Sequence, residues 1–250
     1  VNADSDYASH FMSFEGAMSY SAAGTADFFA DRIRRMEQGI AYRLNYPEGR
    51  EEVLVPMPGM FGVYNSLAAL SGAYCLGLSM PNACASLESF SGVRGRMEYL
   101  KTGRPYRVLI DFAHTPDGLK NLLATVRSVT SGRLIVVFGC GGDRDPSKRP
   151  LMGQVAADGA DIVIVTSDNP RSENPVRIIE EILQGVGRKH CMAIVDRTEA
   201  IRYALGIARE GDTVILAGKG HEDYQVLKDK MIHYDEREIV ESLLEENSEP

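Results

Sequence analysis

The sequence predicts an α/β protein with a mostly parallel sheet over residues 101–250. Three observations predict it. Short, continuous apolar runs recur at RVLIDF (107–112), RLIVVF (133–138), DIVIVT (161–166), MAIVD (192–196) and DTVILAG (212–218). Most of these runs end in a polar or Gly-rich loop. The first four are then followed by a stretch with helical spacing. Runs that are apolar on both faces suit strands covered on both sides. Strand, loop and helix repeated at this spacing give right-handed βαβ units.

Residues 1–100 are more mixed and are read as a separate domain. Ala26 to Gln38 (ADFFADRIRRMEQ) predicts a short amphipathic helix, with Arg32, Arg34 and Arg35, interleaved with Asp31 and Glu37, as its solvated face. Ile40–Leu44 and Glu52–Val55 predict two strands around a turn at Tyr46-Pro47-Glu48-Gly49. Residues 57–60 read as a loop. Asn65 to Leu76 suits a buried helix closed by Gly77, and Pro81 to Phe90 a second one. LKTGRPY at 100–106 is the expected linker. Beyond it, Thr115-Pro116-Asp117 opens a helix to about residue 129, and further helices are expected over 149–158, 175–186 and 198–209. A polar hairpin and a helix over 236–245 complete the pattern.

The bulk numbers narrow the function. The 250 residues are 44% hydrophobic and 25% charged, as in an ordinary globular chain. No apolar run approaches the ~20 residues that span a bilayer. Val1-Asn2-Ala3-Asp4 lacks the features of a secretion signal and an initiator Met, which suggests a piece of a longer chain. A net charge of −8, with 27 basic and 35 acidic residues, argues against nucleic acid as a partner. Cys75, Cys84, Cys140 and Cys191 form no C-x-x-C pair and sit in apolar or Gly-rich surroundings, which fits a reducing cytoplasm. A monomer is expected.

In an open parallel sheet, ligands bind beyond the carboxyl ends of the strands. Four loops there carry polar residues: Asp111 to Asp117, Gly139 to Arg149, Asp168 to Arg171 and Gly218 to Glu222. Their convergence on one rim favours a small-molecule site. GCGGDRDPSKRP suits an anion cradle, with Arg144 and Lys148 as the charges. It is neither a P-loop nor a dinucleotide fingerprint. In the third loop, Asn169 offers an amide and Arg171 a planar fork for a carboxylate, while Asp168 could pair with an ammonium. The same loop also reads as a Pro-containing turn in which Asp168 caps a helix. Glu222 suits a second ammonium or a solvated loop. His114 reads as a general base or a helix cap, and Lys219 as a phosphate contact or a surface charge.

Five elements in order, Gly95-Arg96-Met97-Glu98, Asp111 to Asp117, Gly139 to Asp145, Asp168-Asn169-Pro170-Arg171 and Gly218 to Glu222, resemble the Mur ligases over essentially the whole chain. The resemblance is greatest to the members that add meso-2,6-diaminopimelate to UDP-MurNAc-L-Ala-D-Glu. It implies a Rossmann-like C-terminal domain at 101–250, preceded at 1–100 by the second half of the central ATPase domain. It implies an ATP- and magnesium-dependent amide ligase of peptidoglycan precursor synthesis, and so of cell-wall biogenesis, cell shape and division. The D-glutamate γ-carboxylate is phosphorylated by ATP, the diaminopimelate amine attacks the acyl phosphate, and domain closure excludes water. Carried over, Arg144, Asp168, Asn169, Pro170, Arg171, Gly218 and Glu222 bind diaminopimelate, and Asn65, Arg96, Asp111 and His114 lie at the nucleotide.

The Asp-Asn-Pro-Arg motif accompanies diaminopimelate use, and lysine-adding relatives differ there. The family's usual Phe-Asn before Val63-Tyr64-Asn65 is Phe61-Gly62 here, which puts one nucleotide-side contact in question. Asp-Tyr-Ala-His becomes Asp111-Phe112-Ala113-His114. The family's P-loop, its carbamylated lysine at the magnesium site and most UDP-sugar contacts would precede Val1, so this chain alone is expected not to turn over. The rival readings are an inactive amino-acid-binding or interaction module, a lysine-adding or folate polyglutamate ligase and, more remotely, a dinucleotide oxidoreductase.

Overall fold

The computed structural model describes residues 1–36, 39–57, 59–187 and 191–246. The chain divides into two compact units, Val1–Gly92 and Val93–Pro250.

The first unit begins with a short helix, α1 (Ala8–Phe11), and a short strand, β1 (Tyr20–Ser21). Strands β2 (Phe28–Met36), β3 (Gly39–Tyr46) and β4 (Gly49–Val55) follow, then helices α2 (Met60–Cys75) and α3 (Met80–Glu88). The sheet runs β1-β2-β3-β4, with β1 parallel to β2 and the other pairs antiparallel. Phe28, Tyr42, Leu44, Val53 and Val55 pack against Val63, Leu67 and Leu70 of α2 and Met80 and Cys84 of α3.

The helix expected over Ala26–Gln38 is instead β2, and its arginines lie on a strand; Glu37 and Gln38 fall outside the described residues. Phe28 and Ala30 point into the core while Phe29 and Asp31 are less buried, a period of two. Pairing with β3 then satisfies the backbone, and Arg43 clamps Asp31 across the strands at 2.7 and 2.6 Å. A bulge between Asp31 and Arg34 breaks the alternation, which is why the run also fits a helical period. The β3–β4 hairpin turns where expected. In α2, which starts earlier than expected, Gly62 lies so close to the chain before the helix that a Cβ there would sit 2.9 Å from the Met57 carbonyl oxygen. The glycine in place of the family's asparagine therefore has a packing reason. Of the 57–60 loop, Pro58 lies outside the described residues.

The second unit opens with an unforeseen edge strand, β5 (Glu98–Leu100), antiparallel to β6 (Arg107–Asp111). The division at 92/93 therefore falls before this strand, not after residue 100. Helix α4 (Pro116–Arg127) follows, with Thr115 Oγ1 accepting from the Gly118 N–H as its N-cap. Next come β7 (Leu134–Phe138), α5 (Lys148–Gly159), β8 (Ile162–Val165), α6 (Pro175–Val186), β9 (Cys191–Ala193), α7 (Arg197–Ile207) and β10 (Thr213–Ala217). A hairpin of β11 (Tyr224–Leu227) and β12 (Lys230–His233) leads to α8 (Glu236–Glu246).

The sheet order is β5-β6-β10-β7-β8-β9, and all strands but β5 are parallel. Alternate residues of each central strand serve opposite cores. Leu109, Val136, Val163 and Ile215 face α4, α5 and α6. Val108, Val137, Ile164 and Leu216 face α7 and α8. The strands are thus covered on both sides, which explains their unbroken apolar runs. After β9 the chain crosses to the second face, and β10 enters the middle of the sheet. The carboxyl ends of β6, β10 and β7 therefore flank a topological switch point, where a crevice opens in folds of this type.

Candidate functional site

The loops leaving β6, β7, β8 and β10 meet around this switch point. The β7 and β8 loops interlock. A Cβ on Gly142 would lie 2.0 Å from the Pro170 carbonyl oxygen, so only glycine lets the backbones approach this closely. The Gly142 N–H donates to the Asn169 carbonyl at 2.9 Å. Ser172 donates to Asp143 through its hydroxyl and its N–H, which holds the Asp143 carboxyl below the usual range. Asp143 and Arg171 both adopt left-handed conformations, at φ 53° and 50°. Strained non-glycine residues of this kind persist only where their surroundings over-determine them.

Arg171 Nη1 donates to the Gly142 carbonyl at 2.8 Å. The Arg171 Nε and Nη2 carry no hydrogen bond among the described residues, so one edge of the fork stays open. The ideal Cβ position on Gly141 lies 2.8 Å from Arg171 Nη1 and 3.7 Å from Arg144 Cγ, so the two arginines meet at this glycine. Arg144 is exposed, and its Nη1 donates to the Asp143 carbonyl. The Arg171 guanidinium and the aliphatic stem of Arg144 thus border the same glycine.

Asp168 and Asn169 are buried. Asp168 Oδ1 accepts the Asn169 N–H at 2.6 Å, and a Cβ on Gly218 would lie 2.8 Å from Oδ2. Asp168 therefore faces the β10 loop rather than capping α6; that cap is Asn174, which accepts from the Val176 N–H. Asn169 Nδ2 donates to Glu222 Oε2 at 2.8 Å, and its Oδ1 accepts from the Val226 N–H at 2.9 Å. Gln225 donates to the Asp168 carbonyl and the Arg171 N–H to the Val226 carbonyl. The β11 strand thus backs the whole Asp168–Arg171 loop.

Lys219 is neither a surface charge nor positioned for phosphate, since its side chain is fully buried. Its Nζ lies 3.3 Å from both Glu222 Oε2 and Asn169 Oδ1, between the rings of Tyr224 and Tyr234. The Glu222 charge, with burial, raises the Tyr224 hydroxyl. Beneath these loops Arg197 is wholly enclosed. It donates to Glu236 Oε1, the Ser167 carbonyl and the Ala217 carbonyl, tying the ends of β8 and β10 together. Arg149, also buried, binds Glu173 and Glu181 and reaches the Gly141 carbonyl. Sequence reasoning missed Lys219, Arg197 and Arg149 as parts of the frame. The one signal was their places just after a strand or at a helix start.

On the other side of the switch point, Asp111 accepts from the Ala113 N–H at 2.7 Å and the Met97 N–H at 2.8 Å. Burial raises its carboxyl above the ordinary range, against those two bonds and the nearby Arg96 charge. Arg96 is exposed and stacks over the Phe112 ring at 4.5 Å. His114 is exposed beside the same ring, its Nδ1 2.9 Å from the Phe112 carbonyl, and His221 packs there too. Thr115, not His114, caps α4. Lys148 Nζ donates to the His114 carbonyl. Asn65 is an exposed residue of α2 in the first unit.

Residues 95–220 match the family model described as Mur ligase, glutamate ligase domain, which is half of the chain. The chain belongs to the Mur ligase family. A Mur ligase from Caldanaerobacter subterraneus subsp. tengcongensis, UDP-N-acetylmuramoyl-L-alanyl-D-glutamate–2,6-diaminopimelate ligase, is 45% identical over 99% of this chain and 52% of its own length. The ligase of the same name from Geobacillus kaustophilus is 44% identical over 97% of this chain and 50% of its own. The chain thus spans about half the length of these relatives. A solved diaminopimelate ligase structure matches with a TM-score of 0.65 at 35% identity, covering 100% of this chain and 53% of that one. At 19% identity, UDP-N-acetylmuramate-alanine ligase from Thermotoga maritima shares the fold, with a TM-score of 0.67 over 93% of this chain and 48% of that one.

Proposed function

We propose that this chain carries the amino-acid-accepting part of an ATP-dependent ligase that adds meso-2,6-diaminopimelate to UDP-MurNAc-L-Ala-D-Glu. One observation carries the reading. The Asp168–Arg171 loop holds an open guanidinium edge on one side and, through the Asn169 amide, the Glu222 carboxylate on the other. A ligand with ammonium and carboxylate groups matches that arrangement. Arg171 and Arg144 take carboxylate charge, and Glu222 takes an ammonium. Asp168, Asn169, Pro170 and Gly218 form the frame that fixes them. In the reaction, a diaminopimelate amine attacks the γ-acyl phosphate of the D-glutamyl residue, forming the amide bond and releasing phosphate. These residues orient the nucleophile rather than change it chemically.

Within the second unit Arg96, Asp111 and His114 are proposed to contact the nucleotide, Arg96 being an exposed charge on the Phe112 platform; Asn65, in the first unit, is proposed as a nucleotide contact of that unit. Among the described residues no three carboxylate, His or Cys side chains group to hold a metal ion. No helix among them is long and apolar enough to cross a membrane.

Calorimetric titration of the chain with meso-diaminopimelate and with L-lysine tests the reading. Diaminopimelate should bind at least about tenfold more tightly, because lysine leaves an arginine unmatched. Arg171→Ala should remove the preference. Equal affinity for the two ligands in the unaltered chain would falsify the assignment.

A further inference from the structure

We infer that Lys219 is a positioning residue that makes Glu222 and Asn169 one unit and thereby sets recognition of the second amino group of the ligand. The inference rests on the site reading above and deepens it. Its side chain has 0% exposure, whereas that of Glu222 has 17%, so only the carboxylate of this pair reaches the crevice. Nζ lies 3.3 Å from Glu222 Oε2 and 3.3 Å from Asn169 Oδ1, while Asn169 Nδ2 lies 2.8 Å from the same Oε2. The three side chains close a triangle in which each member touches the other two.

The consequences follow from donor chemistry. An ammonium has only donors, so it fixes the oxygen end of the Asn169 amide toward itself and the Val226 N–H. The nitrogen end is left to hold Glu222. Oε2 receives both donors. Glu222 therefore cannot swing on its flexible stem. A carboxylate already oriented binds an incoming ammonium without first losing rotamer freedom. Lys219 is itself held by burial between the Tyr224 and Tyr234 rings, each 5.7 Å from Nζ.

The test compares meso-diaminopimelate with 2-aminopimelate, which lacks one amino group, by calorimetry on the whole chain. The unaltered chain should favour diaminopimelate by about tenfold or more. Lys219→Met should lose that preference by weakening diaminopimelate alone, leaving 2-aminopimelate within about twofold. Glu222→Gln should give the same pattern, and the double variant should be no worse than either single one. Lys219→Met weakening both ligands equally, or neither, overturns the inference. If Glu222→Gln still removes the preference in that case, the site reading stands without Lys219. If Glu222→Gln leaves the preference intact, the site reading fails and takes this inference with it. Should Lys219→Met not fold, NMR of the unaltered chain with labelled lysine side chains decides. The Lys219 ammonium resonance should move with diaminopimelate and not with 2-aminopimelate; movement with both alike, or with neither, overturns the role.

Discussion

The two sides of the switch point are built differently. On the Asn169–Glu222 side, polar side chains are enclosed and bonded to one another, and two buried cations, Lys219 and Arg197, sit beneath them. On the Phe112 side, Arg96 and His114 are exposed and rest on an aromatic ring. The first side has its geometry before any ligand arrives, which suits discrimination among similar small molecules. The second presents its charges on the surface of an aromatic ring, open to solvent.

Breaking the enclosed side should cost most. Arg197→Ala leaves Glu236 buried without its partner and frees two strand-end carbonyls. A loss of about 3–5 kcal/mol in urea denaturation is expected; a loss below about 1 kcal/mol would mean that water replaces the guanidinium. Gly142→Ala should follow, because the added methyl meets the Pro170 carbonyl. About 1–3 kcal/mol is expected, together with weaker diaminopimelate binding as the Arg171 loop is pushed away. Retained affinity would separate loop packing from recognition. Arg96→Ala, on the open side, should change stability by only about 0.5–1 kcal/mol. It should leave diaminopimelate affinity untouched, and a tenfold loss there would erase the contrast between the sides.

The smallest effect should be a pH slope from Asp111. Burial, only partly offset by two backbone N–H groups and Arg96, raises its folded-state value above the ordinary 3.8. The folded state then binds more protons than the unfolded one in the window just above 3.8. The Asp111 contribution to stability should therefore fall as pH rises through that window. Denaturation curves of the unaltered chain and Asp111→Asn, compared across acid pH, should show the unaltered chain losing stability relative to the variant as pH rises. The opposite slope would mean that the N–H groups outweigh burial.

The parallel unit was legible because strands covered on both faces leave unbroken apolar runs that nothing else of that length explains. The first unit was less so. In β2 the apolar residues fit two periods, and only the partner strand and the Asp31–Arg43 clamp choose between them. Strand β5 is three residues long and its anchor is distant, since Glu98 is held by Arg237. At the site, the Asp168–Arg171 loop was readable as a charge pattern. Lys219 was not, because a lysine between glycines looks solvated until Asn169 and Tyr234 are brought to it from elsewhere in the chain.

The place of β10 bears on how the protein is made. On a ribosome, β6 and β7 emerge long before residue 213, yet each must leave a gap that only β10 fills. Until then both expose unpaired edges, which invite association with other nascent chains. Final closure of the sheet is therefore a late, long-range event, and the crevice cannot exist in any shorter nascent form.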